Sequence, residues 1–311
     1  MDTSAKDNLH YRFGTIPKET GQKKRIRIHQ GWWRMNVLNE RPGLHPKNTQ
    51  DNVCNTILNG EQTKKNFLTE NSSKAVDRTL KERQDDGAGI MEQDRLFNNL
   101  LSSQPLCFNF FGELMADTDF GLKVLQTWWP DLTELRRVIF EFAPKRRSTN
   151  DNSAFDIAFE VAVGDRIGLI GLECKYTDTF SSTEYDKPAY REIFEESKAF
   201  SANYDNLKAS KYNQLFRNQL IAEGLMQNRE YGFVKTGLFC HEQDNSAIKT
   251  GQELQQMLSK PNSFQIITYR NFIENVQQLD IDWQKREWTM LLWARYCATV
   301  LSEPVFQELQ D

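Results

Sequence analysis

From Ser153 to Asp178 the chain reads SAFDIAFEVAVGDRIGLIGLECKYTD, and its apolar positions recur with a period of two. Phe155, Ile157, Phe159 and Val161 alternate with Asp156, Ala158, Glu160 and Ala162, which sends one set to a core and the other to the opposite side of a strand. Gly164-Asp165 then turns the chain, with glycine where a two-residue type II′ turn needs it. Ile167 to Tyr176 returns as a second strand, rich in β-branched and aliphatic residues. Such a hairpin fixes a register. Val163 pairs with Arg166, Asp156 comes opposite Glu173, and Lys175, two residues on, shares their face. A slip of one residue would send Asp156 to the other side of the sheet.

Around this hairpin the pattern predicts further elements. Thr63 to Gln84 is an amphipathic helix broken at Asp85-Asp86-Gly87, and Met91 to Leu101 sets Leu96, Phe97, Leu100 and Leu101 on one helical face. Ser102-Ser103-Gln104-Pro105 is expected to end that helix, and another is expected from about Phe110 to Trp128, with Glu113 near its start. Asp131 to Glu134 resembles a capping box, Val138 to Ala143 reads as the first strand, and the basic triplet Lys145-Arg146-Arg147 follows Pro144. Beyond the hairpin come a polar loop from Thr179 to Asp186, helices over Pro188–Phe200 and Leu207–Asn228, and a strand over Phe233–His241. A capping box at Thr250–Glu253 predicts a helix start before the strand Phe264–Tyr269, and helices over Asn271–Leu279 and Asp282–Leu301 close the chain. Trp283, Trp288 and Trp293 share no face, which points to packing between elements. The first ninety or so residues are polar and irregular, with a loop composition over 40–62. Within them Lys23 to Arg34 interleaves basic and aromatic residues. Two readings are open: an arm whose tryptophans pack while its charges stay wet, or a surface that neutralises phosphates and stacks on bases.

The composition of the 311 residues, 39% hydrophobic and 12% aromatic, is that of a folded globule with one sizeable core. An N-terminal arm and helical region over 1–101 and a core with C-terminal helices over 102–311 are expected to form one compact unit. No stretch reaches the roughly 18 apolar residues of a membrane helix, and no signal-peptide core is present, so a cytoplasmic protein without membrane partners is expected. Five scattered cysteines without a C-x-x-C pair, and only four histidines, argue against zinc knuckles, disulfide frameworks and a His-rich metal site. A net charge of −4 does not advertise a nucleic-acid binder, although positive charge can be concentrated locally.

Two acids and a lysine at the end of an apolar hairpin are costly to bury unless they pair or hold a cation. A hard divalent ion suits them. Mg²⁺, with Mn²⁺ as a substitute, takes a few carboxylate oxygens and fills the rest of its shell with water and phosphate oxygens.

Asp156, followed on the next strand by Glu173-Cys174-Lys175, resembles the D…(D/E)-x-K signature of the PD-(D/E)xK nuclease superfamily. The runs SSQPLCFNFFGEL, RVIFEFAP and NSAFDIAFEV are similar to a bacterial family of predicted restriction endonucleases within it, over most of the chain from Arg25 to about the last strand. One departure is Phe155, where the superfamily often has proline before the acid. The resemblance implies an α/β fold: a restriction-endonuclease-like core, with a central mixed sheet flanked by helices, and a helical N-terminal region. It also implies Mg²⁺-dependent hydrolysis of DNA, with RNA left open, and a role in restriction or defence. Asp156 and Glu173 would be metal ligands, the Cys174 carbonyl a further one, and Lys175 would orient or deprotonate water or offset developing charge.

Glu113 resembles the additional acid that many members carry on a helix, and Glu141, on the strand beside Asp156, is its rival for that place. Gln214 and Arg217 would position the phosphate backbone, with Lys145, Arg146 and Arg147 at the mouth of the site. Against these stand blander readings: a buried ion network, a helix-terminal acid, an exposed helix face and a solvated loop. Whole-protein alternatives are an RNase, or a nuclease fold that binds nucleic acid or a protein without cutting. Double-strand cutting usually takes two active sites, which favours a homodimer.

Overall fold

The computed structural model describes residues 13–309 apart from 15, 17, 46–47, 87–90 and 145–147. Its centre is a five-stranded sheet of β3 (Glu134–Phe142), β4 (Phe155–Val163), β5 (Arg166–Lys175), β6 (Phe233–Cys240) and β7 (Phe264–Thr268), which lie side by side in that order. β3, β4 and β5 pair antiparallel, while β5–β6 and β6–β7 pair parallel, so the sheet is mixed. Parallel neighbours need crossovers. The helices Pro188–Glu196 and Ser210–Gln227 lie between β5 and β6, and Asn245–Gln256 lies between β6 and β7.

Both faces of the sheet are covered, which is why β5 is apolar almost throughout. Ile157, Phe159 and Val161 of β4, with Ile170, Leu172 and Cys174 of β5, join a core that also holds Phe108, Phe110 and Phe111. Ala158 and Leu169 turn to the other side, against Ile221, Ala222 and Leu225. The period of two is thus a division between two cores, except at Phe155, which alternation assigns to the side of Ile157 but which packs with Ala158 and Leu169. Of the two turn residues only Gly164 has positive φ, at +56°, as a type II′ turn requires.

The N-terminal region is more regular than its composition suggests. α1 (Gly21–Asn36) takes in the basic and aromatic run, and residues 40–62, expected as loop, contain an antiparallel hairpin of β1 (Pro42–His45) and β2 (Asn48–Ile57). α2 (Glu70–Asp86) and α3 (Gln93–Asn98) follow. In α1 Trp33 is buried, but so is Arg34, whose guanidinium donates to the Cys54 carbonyl at 2.8 Å rather than staying wet.

Ser102 starts a helix instead of ending one. Its hydroxyl accepts from the Gln104 N–H and opens α4 (Ser103–Ala116), with Pro105 in the first turn, where its missing N–H costs nothing. Asp117 then breaks the chain out of helix and caps α5 (Thr118–Gln126) through the Phe120 N–H. Glu113 therefore sits near the C-terminal end of a helix, not at the start of one. Residues 131–133 form no helix, and Glu134 already pairs with Ala162 in β3. The helix Asn245–Gln256 is capped by Asp244, six residues before the expected box.

The last segment bends. After Trp283–Leu292 the chain takes one π turn over Trp293–Cys297, where Arg295 is completely buried. Of the three tryptophans only Trp288 is core, donating to the Asn109 carbonyl; Trp283 and Trp293 are 67% and 42% exposed, which corrects the packing expected of them.

His29, on α1, packs its imidazole between Ser302 Oγ and the Ala294 carbonyl. Burial, against the help of the Ala294 carbonyl, lowers its pKa from 6.5 to about 4. Between those values the unfolded chain binds a proton that the folded one refuses, so this contribution is complete above pH 6.5 and lost as pH falls towards 4. The loss reaches about 3 kcal/mol. Denaturant titrations from pH 7 to 4 should show a steeper fall for wild type than for His29→Gln. Parallel curves would contradict the buried neutral imidazole.

Candidate active site

The acid-bearing ends of β3, β4 and β5 meet the N-terminal region across an open, polar cleft of about 650 Å³. The β4–β5 ladder runs from Val163↔Arg166 to Ile157↔Leu172 and stops one residue short of Asp156. There the Asp156 carboxylate takes over, with Oδ2 accepting the Cys174 N–H at 2.7 Å. The first acid is thus anchored where the two strands part.

Glu173 and Lys175 are 4% and 6% exposed and form an ion pair of 2.9 Å. The helix Ser210–Gln227 brings polar side chains to both. Gln214 accepts from Lys175 Nζ at 2.8 Å and donates to Glu173 Oε1 at 2.5 Å, and Asn218 donates to Glu173 Oε2 at 3.0 Å. Both oxygens of Glu173 are therefore held by named donors.

Glu141 lines the same cleft. The pairs Phe140↔Ile157 and Phe142↔Phe155 bracket it opposite Asp156. Its backbone is left-handed, with φ +52°, a conformation that costs a non-glycine residue free energy. Gln104 Nε2, from the first turn of α4, donates to its carboxylate at 3.3 Å.

Three acids and one lysine leave an excess of negative charge. Burial, followed by the neighbouring Glu173 and Glu141, pushes Asp156 well above the usual carboxylate range, against the pull of Lys175 and the Cys174 N–H. Burial alone would lower the Lys175 pKa, but Glu173, Asp156 and more distantly Asp178 outweigh it and raise it. The lysine is held as an ammonium.

Of the other expected site residues, Arg217 lies one turn beyond Gln214 and lines the narrower cleft that continues past Asp156 and Glu173. It donates to Ser153 Oγ at 2.8 Å, with its guanidinium over the Tyr185 ring. Cys174 turns its thiol away from the cleft, into hydrogen-bonding contact with Cys107, so only its main chain can take part. Glu113 is not brought to the cleft: its carboxylate accepts from Asn71 at 2.8 Å. Lys145, Arg146 and Arg147 lie outside the described residues. Asn218 escapes the sequence reading although it stands four residues after Gln214, which places both on one helical face. Arg27, Arg95 and Asp178 also line the cleft: Arg27 from the basic and aromatic run, Asp178 from just beyond β5, and Arg95 from a helix that no local pattern ties to the site.

Phe155 has its own structural reason. It is fully buried, and a methyl group at Gly171 would lie 2.5 Å from its ring. A bare glycine on β5 thus makes room for the aromatic ring beside Asp156.

A mixed α/β sheet whose central hairpin presents Asp156, Glu173 and Lys175 to a cleft defines the nuclease-like class of site. The family model of the PD-(D/E)XK nuclease superfamily matches residues 17–298, and the chain belongs to that superfamily. Comparisons with curated proteins and with solved structures gave no match.

Superfamily members typically use divalent metals. Among the described residues no three His, Cys, Asp or Glu side chains are grouped closely enough to hold a metal ion by themselves. What Glu141, Asp156 and Glu173 share is one cleft and a donor chemistry that suits a hard divalent cation. They offer oxygen ligands only, they carry more negative charge than Lys175 balances, and they face a cleft open to water. Among the described residues no helix is long and apolar enough to cross a membrane.

Proposed function

We propose that the protein is a cytoplasmic, Mg²⁺-dependent endonuclease that hydrolyses DNA phosphodiester bonds, acting in restriction or defence against foreign DNA. The observation that carries this reading is the charged Lys175 bridged to Glu173 beside Asp156 on the floor of a polar cleft.

Asp156 and Glu173 would hold the cation, with Glu141 as the additional acid in place of Glu113. A bound divalent ion lowers the pKa of water and screens charge on phosphate oxygens. Lys175, kept as an ammonium, stabilises charge that develops on the phosphate and is a poor base, which favours the electrostatic role. Gln214 orients Lys175 and Glu173 together and so fixes the spacing between ammonium and carboxylate. Arg217 provides a positive charge further along the cleft for the flanking backbone.

The test is incubation of the purified protein with supercoiled plasmid, single-stranded DNA and RNA, each with Mg²⁺, Mn²⁺, Ca²⁺ or EDTA. Plasmid should be cut with Mg²⁺ or Mn²⁺ and left intact with Ca²⁺, whose larger, irregular shell positions the reacting groups poorly. Linear product would support paired sites in a homodimer, and nicked product a single one. Preferential loss of RNA would make it an RNase. Full activity in EDTA would refute the mechanism.

A further inference from the structure

The cleft has a second wall, and the N-terminal region builds it. Arg95, on α3, and Arg27, on α1, face the acids of the sheet from the other side. The two arginines are not equivalent. Arg27 is fixed by Glu19 through two hydrogen bonds of 2.7 and 3.1 Å, and its side chain is only 17% exposed. Arg95 has a single, longer contact, 3.3 Å from Asp178 Oδ2, and the two side chains are 39% and 52% exposed. Asp178 lies on the segment that leaves β5, three residues after Lys175.

An exposed ion pair with one long contact contributes little to stability, and it is cheap to exchange. A phosphodiester oxygen pair offers a guanidinium the same charge in a bidentate geometry. Asp178 meanwhile adds a fourth carboxylate to a cleft that has to admit a polyanion. We infer that Arg95 is a phosphate-contact residue for a nucleic-acid strand in the cleft, and that Asp178 is a placeholder carboxylate which the incoming phosphate displaces. This rests on the nuclease reading and names the part of the chain, the N-terminal region, that holds the substrate against the acids.

The pair makes the inference testable by a double-mutant cycle, read as binding of a fluorescent DNA duplex in Ca²⁺ over a range of salt. Arg95→Ala should weaken binding by about 5- to 10-fold and reduce the slope of log Kd against log salt by about one. Asp178→Asn should tighten binding by about 3-fold or more, because the guanidinium no longer has to be released. In the Arg95→Ala background the same substitution should give a clearly smaller gain. Because the pair is exposed, all three variants should melt with wild type. Equal gains in the two backgrounds would overturn the inference, since Asp178 would then act only through the general field of the cleft. So would an Arg95→Ala variant that binds as wild type does. If wild type cuts plasmid while the cycle is additive, only the placeholder role fails. If wild type neither binds nor cuts nucleic acid, both readings fail together.

Discussion

Lys175→Ala should cleave bound substrate about 10² to 10³ times more slowly than wild type, roughly 3 to 4 kcal/mol of lost transition-state stabilisation. Affinity should change little, because the ammonium is already neutralised in the ground state by Glu173 at 2.9 Å and only meets fresh negative charge as the phosphate reacts. The loss should not come from unfolding, as Glu173 keeps Gln214 and Asn218 as donors. Single-turnover cleavage at saturating protein, set beside a binding titration in Ca²⁺, separates the two quantities. A variant that cuts at the wild-type rate once bound would remove the triad from the mechanism and leave an ion network that merely holds the hairpin end.

Arg295→Ala should be the most damaging single truncation away from the cleft, lowering stability by about 3 to 5 kcal/mol. The guanidinium is fully buried and donates to the Asn66 carbonyl at 2.7 Å, to Asn66 Oδ1 at 2.5 Å and to Gln30 Oε1 at 3.4 Å. Gln30 in turn donates to the Tyr176 hydroxyl at 2.8 Å, one residue past Lys175. Removing the arginine leaves a cavity lined with acceptors that have lost their donor, and it leaves the N-terminal region tied to the C-terminal π turn only through bonds such as those of His29 and Gln30 to the Ala294 and Arg295 carbonyls. The midpoint of thermal unfolding should fall by about 5 to 8 °C. A fall of less than about 2 °C would mean that the buried polar network is not what joins these segments.

The hairpin is legible in the sequence because its first strand alternates, its second is a continuous run of strand-forming residues, its turn has glycine at the required position, and its register follows by counting. The acids and the lysine are legible for the same reason. What stays hidden depends on partners far away in the chain. Glu113 looks like a site residue if its helix begins at Phe110; the Ser102 cap moves that beginning back and turns Glu113 toward Asn71. Pro105 punctuates a helix at its start and not at the end of the one before, and Asp117, an ordinary N-cap residue, divides the single expected helix into two. The β1–β2 hairpin escapes because its register is irregular and its residues are polar, so no alternation announces it. Arg95 and Asp178 meet across 83 positions, a separation that local pattern does not reach.

Glu141 bears on how this protein would respond to selection. At φ +52° an L side chain with a Cβ sits where glycine or asparagine would be more comfortable, at a cost of the order of 1 kcal/mol. The chain keeps there a residue that its own backbone disfavours. A laboratory lineage selected only for heat resistance would find relief at this codon among its first accepted changes, and would deliver a sturdier protein from whose cleft one acid had been discarded.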